Sequence, residues 1–118
     1  MITHPTAVEL VDVVARWIDS VRPSLTGRDA FMARVAANAL GIVSRELTSG
    51  QALEAAAVER FSALLGQEGD FQTLNAELCR RLREGEMDRD TPGLLAALEA
   101  CAVEQIAIDQ PSYRADKA

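Results

Sequence analysis

The spacing of the apolar residues is the feature that most restricts what this chain can fold into. Along most of the 118 residues, aliphatic side chains recur every three or four positions, and Pro or Gly residues separate the periodic segments. This period matches the turn of an α-helix, whereas a half-buried β-strand needs an alternation that no segment keeps up for long. Aromatic residues are only 4% of the chain, so a core must be built from Ala, Leu, Val and Ile. The sequence therefore predicts an all-α fold.

Five helices are predicted from the periodic segments and from the residues that start and stop them. The predicted helices span about 7–21, 27–48, 51–65, 71–84 and 92–109. Thr6 begins a capping box for the first helix, and Asp70 is a cap residue for the fourth. Gly50 is expected to end the second helix, and Thr91 followed by Pro92 is a strong start signal for the fifth.

The second helix is the expected centre of the fold. It carries bulky apolar residues on one side and the small residues Ala33, Ala37 and Gly41 on the other, so it can be packed over most of its surface. Short connections favour antiparallel neighbours and hence an up-and-down type bundle of about five helices around this long helix. We therefore expect one helical domain over residues 1–118, with residues 112–118 as a loose C-terminal tail.

The charge and the few cysteine and histidine residues limit the classes of partner. A net charge of −6 disfavours nucleic acid and anionic membranes. No apolar run approaches the about 20 residues that cross a bilayer, and the N-terminus lacks a signal-peptide pattern, so the cytoplasm is the expected location. Cys79 and Cys101 lie in helical apolar patterns and are interpreted as small core residues. Because His4 is the only histidine, no zinc or other metal site is expected.

Several polar residues lie where the helical pattern calls for apolar ones. Asn75 falls within the apolar arc of the fourth helix, and Arg34, Asn38 and Arg45 form one ridge on the second. Asp109 lies at the C-terminus of the fifth helix, where the helix dipole disfavours a negative charge unless a cation compensates it. We therefore predict a polar network between the second, fourth and fifth helices. Its members are Arg34, Asn38, Asn75 and Asp109.

Two roles remain open for these polar residues. One is structural, since hydrogen-bonded amides and paired arginines can fix the register of packed helices. The other is an arginine ridge that binds an anion or a partner, because guanidinium groups suit carboxylates and phosphates. Arg28, Arg81 and Tyr113 are further candidates for a partner surface. Arg81 belongs to a basic cluster that neighbouring glutamates can also neutralise as an ordinary solvated face.

The sequence offers no set of residues that could carry out catalysis by itself. It contains neither a Gly-x-Gly-x-x-Gly motif nor a phosphate-binding loop with Lys-Ser/Thr. No serine or cysteine has a histidine available to activate it, and the carboxylates form no clear inward-facing pair. We therefore expect a protein that is not an enzyme on its own and that uses no cofactor.

Four segments carry a resemblance to a known family. They are HPTAVEL (4–10), FMARVAANALGIVSREL (31–47), LNAELCRRLREGE (74–86) and IAIDQPSY (106–113). Together they resemble a bacterial family of short helical domains of unknown function, over nearly the whole chain, and the segment 31–47 is the most specific. Gly41 stands where the family pattern commonly has Ala, a departure that could loosen the helix locally.

The resemblance implies a partner and a pathway. Members of that family are typically encoded beside an aminoglycoside-phosphotransferase-like kinase and an acyl-CoA dehydrogenase. The implied role is the small accessory subunit of a kinase that phosphorylates the 4-hydroxy group of a short-chain acyl-CoA, in levulinate-type degradation. The catalytic residues would belong to the large subunit, so none is carried over to this chain.

Two alternatives stand beside this implied role. The chain could be a stand-alone structural or homo-oligomeric helical protein, with the first or the third helix as the self-interface. It could also be a small domain that binds the pantetheine or phosphate end of CoA near Arg34 and Arg45.

Overall fold

A computed structural model describes residues 3–113 of the chain, and the α-helix dominates them. The elements are α1 (Ala7–Val21), a 3-10 helix (Arg22–Ser24), α2 (Gly27–Leu65), α3 (Phe71–Arg83) and α4 (Leu94–Asp109). The described residues form no β-strand, so the all-α prediction is confirmed. None of the helices in this part of the chain is both long and apolar enough to cross a membrane.

The predicted number of five helices is wrong, because the second and third predicted helices are one helix. α2 continues through Gly50 for 39 residues. A glycine in a helix interior costs only about 1 kcal/mol relative to alanine and removes no backbone hydrogen bond, unlike proline. The alanine-rich segment that follows Gly50 is made of the strongest helix former, and it outweighs this cost.

The chain divides into two compact units, and the boundary falls within α2. Unit 1 covers Met1–Gly50 and unit 2 covers Gln51–Ala118. The packing of all helices as one bundle around a central helix, within a single domain, stays a prediction.

In unit 1, α1 and the first part of α2 form an antiparallel hairpin. The Thr6 hydroxyl begins α1 by accepting a hydrogen bond from the Glu9 backbone N–H, which is one of the two bonds of the predicted capping box. The 3-10 helix then turns the chain. The Ser44 hydroxyl of α2 donates to the Asp12 carboxylate of α1 at 2.8 Å, which fixes the register of the two helices.

The side of α2 that packs in unit 1 is the side with small residues. Ala33, Ala37, Leu40 and Ser44 are half-buried and share one stripe, and Ser44 is hydrogen-bonded to α1. The bulky residues that we expected inside are exposed. They are Phe31, Met32, Val35, Ile42, Val43 and Leu47. Small side chains let two helices approach closely, which explains why this side packs. The expected burial of the bulky residues of α2 is therefore wrong.

Unit 2 contains the hydrophobic core. The second part of α2, α3 and α4 supply nearly all of the buried residues, among which Leu74 and Leu94 are the most completely enclosed. The Phe61 and Phe71 rings stack with centroids 6.0 Å apart. The core cluster consists of Phe61, Leu65, Leu74, Leu78, Met87 and Leu94. Three helical segments around one core therefore hold unit 2 together.

The connection between α3 and α4 is more than the charged loop that the sequence predicts. Met87 is buried in the core cluster, and its backbone N–H donates to the Arg81 carbonyl at 3.2 Å. α4 begins at Leu94 rather than at Pro92, because Gly93 precedes it with a left-handed φ of 84° that no helix continues. Of the predicted loose tail, residues 114–118 lie outside the described residues, and Ser112 and Tyr113 are exposed.

Candidate interaction surfaces

The structure places the residues of the predicted polar network in different units. Arg34 and Asn38 are exposed on α2 in unit 1, whereas Asn75 and Asp109 belong to unit 2. Asn75 is exposed, so its predicted burial is wrong. The packed stripe of α3 contains Leu74, and the next residue in a helix points about 100° away from it. The joining of Arg34 and Asn38 to the unit 2 residues stays a prediction.

Asp109 and Arg45 each have a neighbour on their own helix. The Asp109 carboxylate accepts a hydrogen bond from the Gln105 side-chain amide at 3.1 Å, and both side chains are exposed. The expectation that Asp109 takes the place of an apolar residue on the packed side of its helix is therefore wrong. The half-buried Arg45 guanidinium lies over Gly41, where an added Cβ would come within 3.1 Å of Nη1. The glycine at position 41 thus leaves room for Arg45.

An open groove in unit 1 contains one of the predicted anion-binding arginines. It has a volume of about 450 Å³ and is lined by Arg22, Ala30, Phe31 and Arg34. Arg22 has only a loose ion pair, 3.5 Å from the exposed Asp19 carboxylate. Two guanidinium groups beside an exposed aromatic ring form a surface that suits an anion attached to a planar group.

An ion pair that the sequence analysis missed joins α2 to α4 in unit 2. The Arg60 guanidinium donates to both Glu104 carboxylate oxygens, at 2.9 and 2.5 Å, and both side chains are about a quarter exposed. These bonds lower the pKa of Glu104 and raise that of Arg60. The spacing could place each residue near a packed side, since Arg60 lies three positions from Ala57 and Glu104 four from Ile108, but it could not show that the two meet.

The basic cluster on α3 is neutralised by glutamates of unit 2. Arg80 donates to the carboxylates of Glu77, Glu84 and Glu86 at 2.5 to 2.8 Å. The hydrogen bonds from Arg80, and secondarily from Arg81, lower the pKa of Glu77 to about 2. These ion pairs fit the interpretation of this cluster as an ordinary solvated face, and its role as a partner surface stays a prediction.

Arg81 supports the end of α2. Its Nη2 donates to the backbone carbonyl of Leu65, the last residue of α2, at 3.2 Å, and it also approaches Gln67. A cation at a helix C-terminus satisfies an unpaired carbonyl and complements the helix dipole. These bonds give Arg81, proposed above for a partner surface, a role inside unit 2. Arg28 is exposed at the start of α2.

The largest apolar exposure lies on the hairpin of unit 1. Of its described residues none is buried, and the single tryptophan of the chain, Trp17, is 63% exposed. We call ten large exposed side chains of this unit the hairpin surface. They are Leu10, Val13, Val14, Trp17, Phe31, Met32, Val35, Ile42, Val43 and Leu47.

A second apolar surface lies on α4 of unit 2. Its apolar residues are spread around the helix rather than confined to one stripe, although α4 also carries Glu99, Glu104, Gln105 and Asp109. Only Leu94, Ala97 and Ile108 of α4 are fully buried, however, and Leu95 is 59% exposed. We call the outward-facing set the α4 surface. It consists of Leu95, Leu98 and Val103.

The described cysteines and possible metal ligands do not form a site. Cys101 is half-buried beside the core cluster, as expected, but Cys79 is exposed, so its interpretation as a core residue is wrong. Both thiols are free. Within residues 3–113, no three or more His, Cys, Asp or Glu side chains lie close enough together to hold a metal ion.

Comparison with known families gives one match. Residues 23–113 match the model of a domain of unknown function, DUF6285. The chain belongs to the DUF6285 family. The match begins at the 3-10 helix and includes α2, α3 and α4, so that α1 precedes it. No curated protein and no solved structure matches the chain.

Proposed function

We propose that this DUF6285 protein is a non-catalytic accessory subunit that acts in the cytoplasm. It binds an aminoglycoside-phosphotransferase-like kinase and activates or stabilises it for the phosphorylation of 4-hydroxyacyl-CoA in levulinate-type degradation. The resemblance of segments 4–10, 31–47, 74–86 and 106–113 to short helical domains that accompany such kinases supports the identity of the partner.

The observation that carries the proposal is the α4 surface. α4 packs Leu94, Ala97 and Ile108 inside unit 2, but it leaves Leu95, Leu98 and Val103 in contact with water. Exposed apolar side chains on a helix that otherwise packs a core mark a place where another polypeptide can dock. Tyr113, half exposed shortly after α4 ends, adds an aromatic side chain of the kind enriched in protein interfaces.

The charge of unit 2 determines what kind of surface the kinase must present. Residues 51–118 hold 13 of the 18 acidic and 7 of the 12 basic residues, so they carry the full net charge of −6. A partner that docks on α4 therefore needs an apolar patch bordered by basic residues, because like charges across an interface oppose binding. The acidic field also increases the rate of encounter with such a partner.

Co-expression with the kinase tests the proposal. We expect the two chains to co-purify, and we expect ATP-dependent phosphorylation of 4-hydroxyacyl-CoA to be faster with this chain than without it. Leu95→Glu, which places a charge in the α4 surface, is expected to abolish co-purification. Leu82→Glu, a partly exposed position on α3, is the matched control and is expected to leave it intact.

The outcome that contradicts the proposal is equally specific. Separate elution of the kinase and this chain, together with a kinase rate that this chain does not change, would exclude the accessory role. Equal loss of binding in Leu95→Glu and Leu82→Glu would exclude the α4 surface as the docking site.

A second candidate function rests on the groove lined by Arg22, Phe31 and Arg34. Two guanidinium groups can hold phosphate while the ring of Phe31 contacts a base, which favours the phosphate end of CoA as a ligand. Titration of the isolated chain with acyl-CoA should then release heat, and Arg34→Ala should remove the signal. A titration without heat or chemical-shift change would exclude this function.

A further inference from the structure

We infer that unit 1 is a self-association module, in which the hairpin surface of one copy packs against the hairpin surface of a second copy. The inference goes beyond the accessory role, because it concerns different helices and does not depend on which partner docks on α4. It rests on the exposure, placement, area and charge of the hairpin surface.

The exposed residues of α1 form a stripe of their own. Leu10, Val14 and Trp17 recur at spacings of four and three and are each about half exposed or more. A different stripe of α1 is half-buried. It contains Val11 and Ile18 and lies on the side of the helix from which Asp12 reaches α2. α1 thus has two apolar stripes, and its packing against α2 covers only one of them.

The register of the hairpin places part of α2 beside the free stripe of α1. Because Asp12 meets Ser44 and the helices are antiparallel, Leu10 lies within one residue of the level of Leu47, and Val14 lies within one residue of the level of Val43. Successive residues of a helix are rotated by about 100°. Measured by this rotation from the packed stripe of each helix, these four side chains lie on the same side of the hairpin. The hairpin therefore presents a two-helix apolar face, the geometry that pairs with another hairpin to form a four-helix bundle.

The exposed apolar area of the two-helix face is roughly half of what a standard homodimer interface buries, which fits a dimer that dissociates on dilution. A buried aromatic side chain covers about 150–250 Å² and a buried aliphatic one roughly 60–120 Å². Leu10, Val14, Trp17, Val43 and Leu47 are each about half exposed, so together they present on the order of 200–400 Å² of apolar surface to water. The other members of the hairpin surface point to other sides of the two helices. A standard interface takes about 800 Å² from each partner, of which about 65% is apolar in homodimers.

The distribution of charge identifies the occupant as a second copy. Residues 1–50 contain five acidic and five basic residues and are electrically neutral, whereas residues 51–118 carry −6. In a two-fold dimer the same patch faces itself, so a charged patch repels its copy and a neutral patch of mixed sign does not. A two-fold pairing through unit 1 therefore brings together the part of the chain that has no net charge.

The test uses the full chain and its single tryptophan. Sedimentation of the wild-type protein over a dilution series should give twice the 12.7 kDa chain mass when concentrated and the chain mass when dilute. Trp17 lies within the hairpin surface, so its emission should shift to shorter wavelength, and iodide should quench it less, over the same concentration range.

Paired variants locate the interface. Val14→Glu and Val43→Glu are exposed substitutions that should leave the circular dichroism unchanged and make the protein monomeric at every concentration tested. Leu95→Glu, a matched change on α4, should leave the dimer intact. Because Leu95→Glu is also expected to abolish kinase binding, the failure of one proposal can be told apart from the failure of the other.

Three results would overturn the inference. They are a monomer whose Trp17 emission is the same at all concentrations, a dimer that persists in Val14→Glu and Val43→Glu, and a dimer that Leu95→Glu dissociates. Loss of kinase binding in Val43→Glu while the wild-type chain is monomeric would assign the hairpin surface to the kinase instead.

Discussion

Unit 1 and unit 2 are both built from α-helical segments, but they differ in what they bury. Unit 2 closes three helical segments and a buried loop methionine around a core. Unit 1 has two helical segments, and none of its described residues is buried. Two helices can cover only the side on which they touch each other, and the rest of their apolar surface stays in water. A third helical segment allows apolar side chains to be enclosed from all sides in a core. An apolar stripe therefore becomes a core or an interaction surface according to how many helices lie around it.

The largest expected effect tests whether unit 2 alone contains the core. Leu74 is fully buried, and Leu74→Ala should lower the free energy of unfolding by about 2–5 kcal/mol. Leu10→Ala removes the same atoms from an exposed position of unit 1 and should change it by less than about 0.5 kcal/mol in dilute, monomeric protein. Urea unfolding measures both. Similar losses in the two variants would show that the units do not differ as described.

The next effect compares the ion pairs of the two units. Arg60 and Glu104 form a half-buried, two-fold hydrogen-bonded pair in unit 2, whereas Asp19 and Arg22 form a loose, exposed pair in unit 1. A double-mutant cycle to alanine should give clear coupling for the first pair and almost none for the second, because water screens exposed charges. Equal coupling energies would contradict the account.

Two glycines of unlike conformation test the boundary between the units and the start of α4. Gly50 lies in the interior of α2, and alanine there should stabilise the chain by up to about 1 kcal/mol, reduced by a shift of the Glu46 side chain. Gly93 has a left-handed φ, so Gly93→Ala should destabilise it by about 1 kcal/mol or more. If Gly50→Ala destabilised the chain as much as Gly93→Ala, α2 would not be continuous at this point.

The smallest effect concerns the pH dependence of unit 2. The pKa of Glu77 is lowered from 4.5 to about 2, chiefly by Arg80. The unfolded state therefore binds more protons between these values, so the stabilisation is complete above about pH 5 and is lost as the pH falls towards 2. The stability difference between wild type and Glu77→Gln should shrink over this window. A constant difference for Glu77→Gln over this window would contradict the assignment.

The sequence predicts the helical elements well but not the side on which each one packs. Local signals such as the Thr6 and Asp70 caps place the starts of α1 and α3 correctly, because a cap acts within one turn. Gly50 misled the count of helices, since a glycine weakens a helix without ending it. The burial of the bulky face of α2 was wrong, because periodicity identifies a stripe and does not say whether a neighbour covers it.

The predicted polar residues show the same limit. Asn75 fits an apolar arc when α3 is considered alone, but the packed stripe lies to one side of it. The Arg60–Glu104 pair joins residues 44 positions apart, and only packing reveals which two charges meet. The pairing of Arg80 with Glu77 and Glu84 could be expected from the sequence, because both partners lie within about one helical turn of Arg80.

Hydrogen–deuterium exchange resolved by residue tests the central claim most directly, that unit 2 holds the core and unit 1 depends on a second copy to cover its apolar surface. In dilute protein, the amides of α1 and of the first part of α2 should exchange rapidly while those of α3 and α4 stay protected. In concentrated protein, protection should rise in α1 and the first part of α2 and stay unchanged in α3 and α4. Equal protection of α1 and α3 at every concentration would contradict the claim.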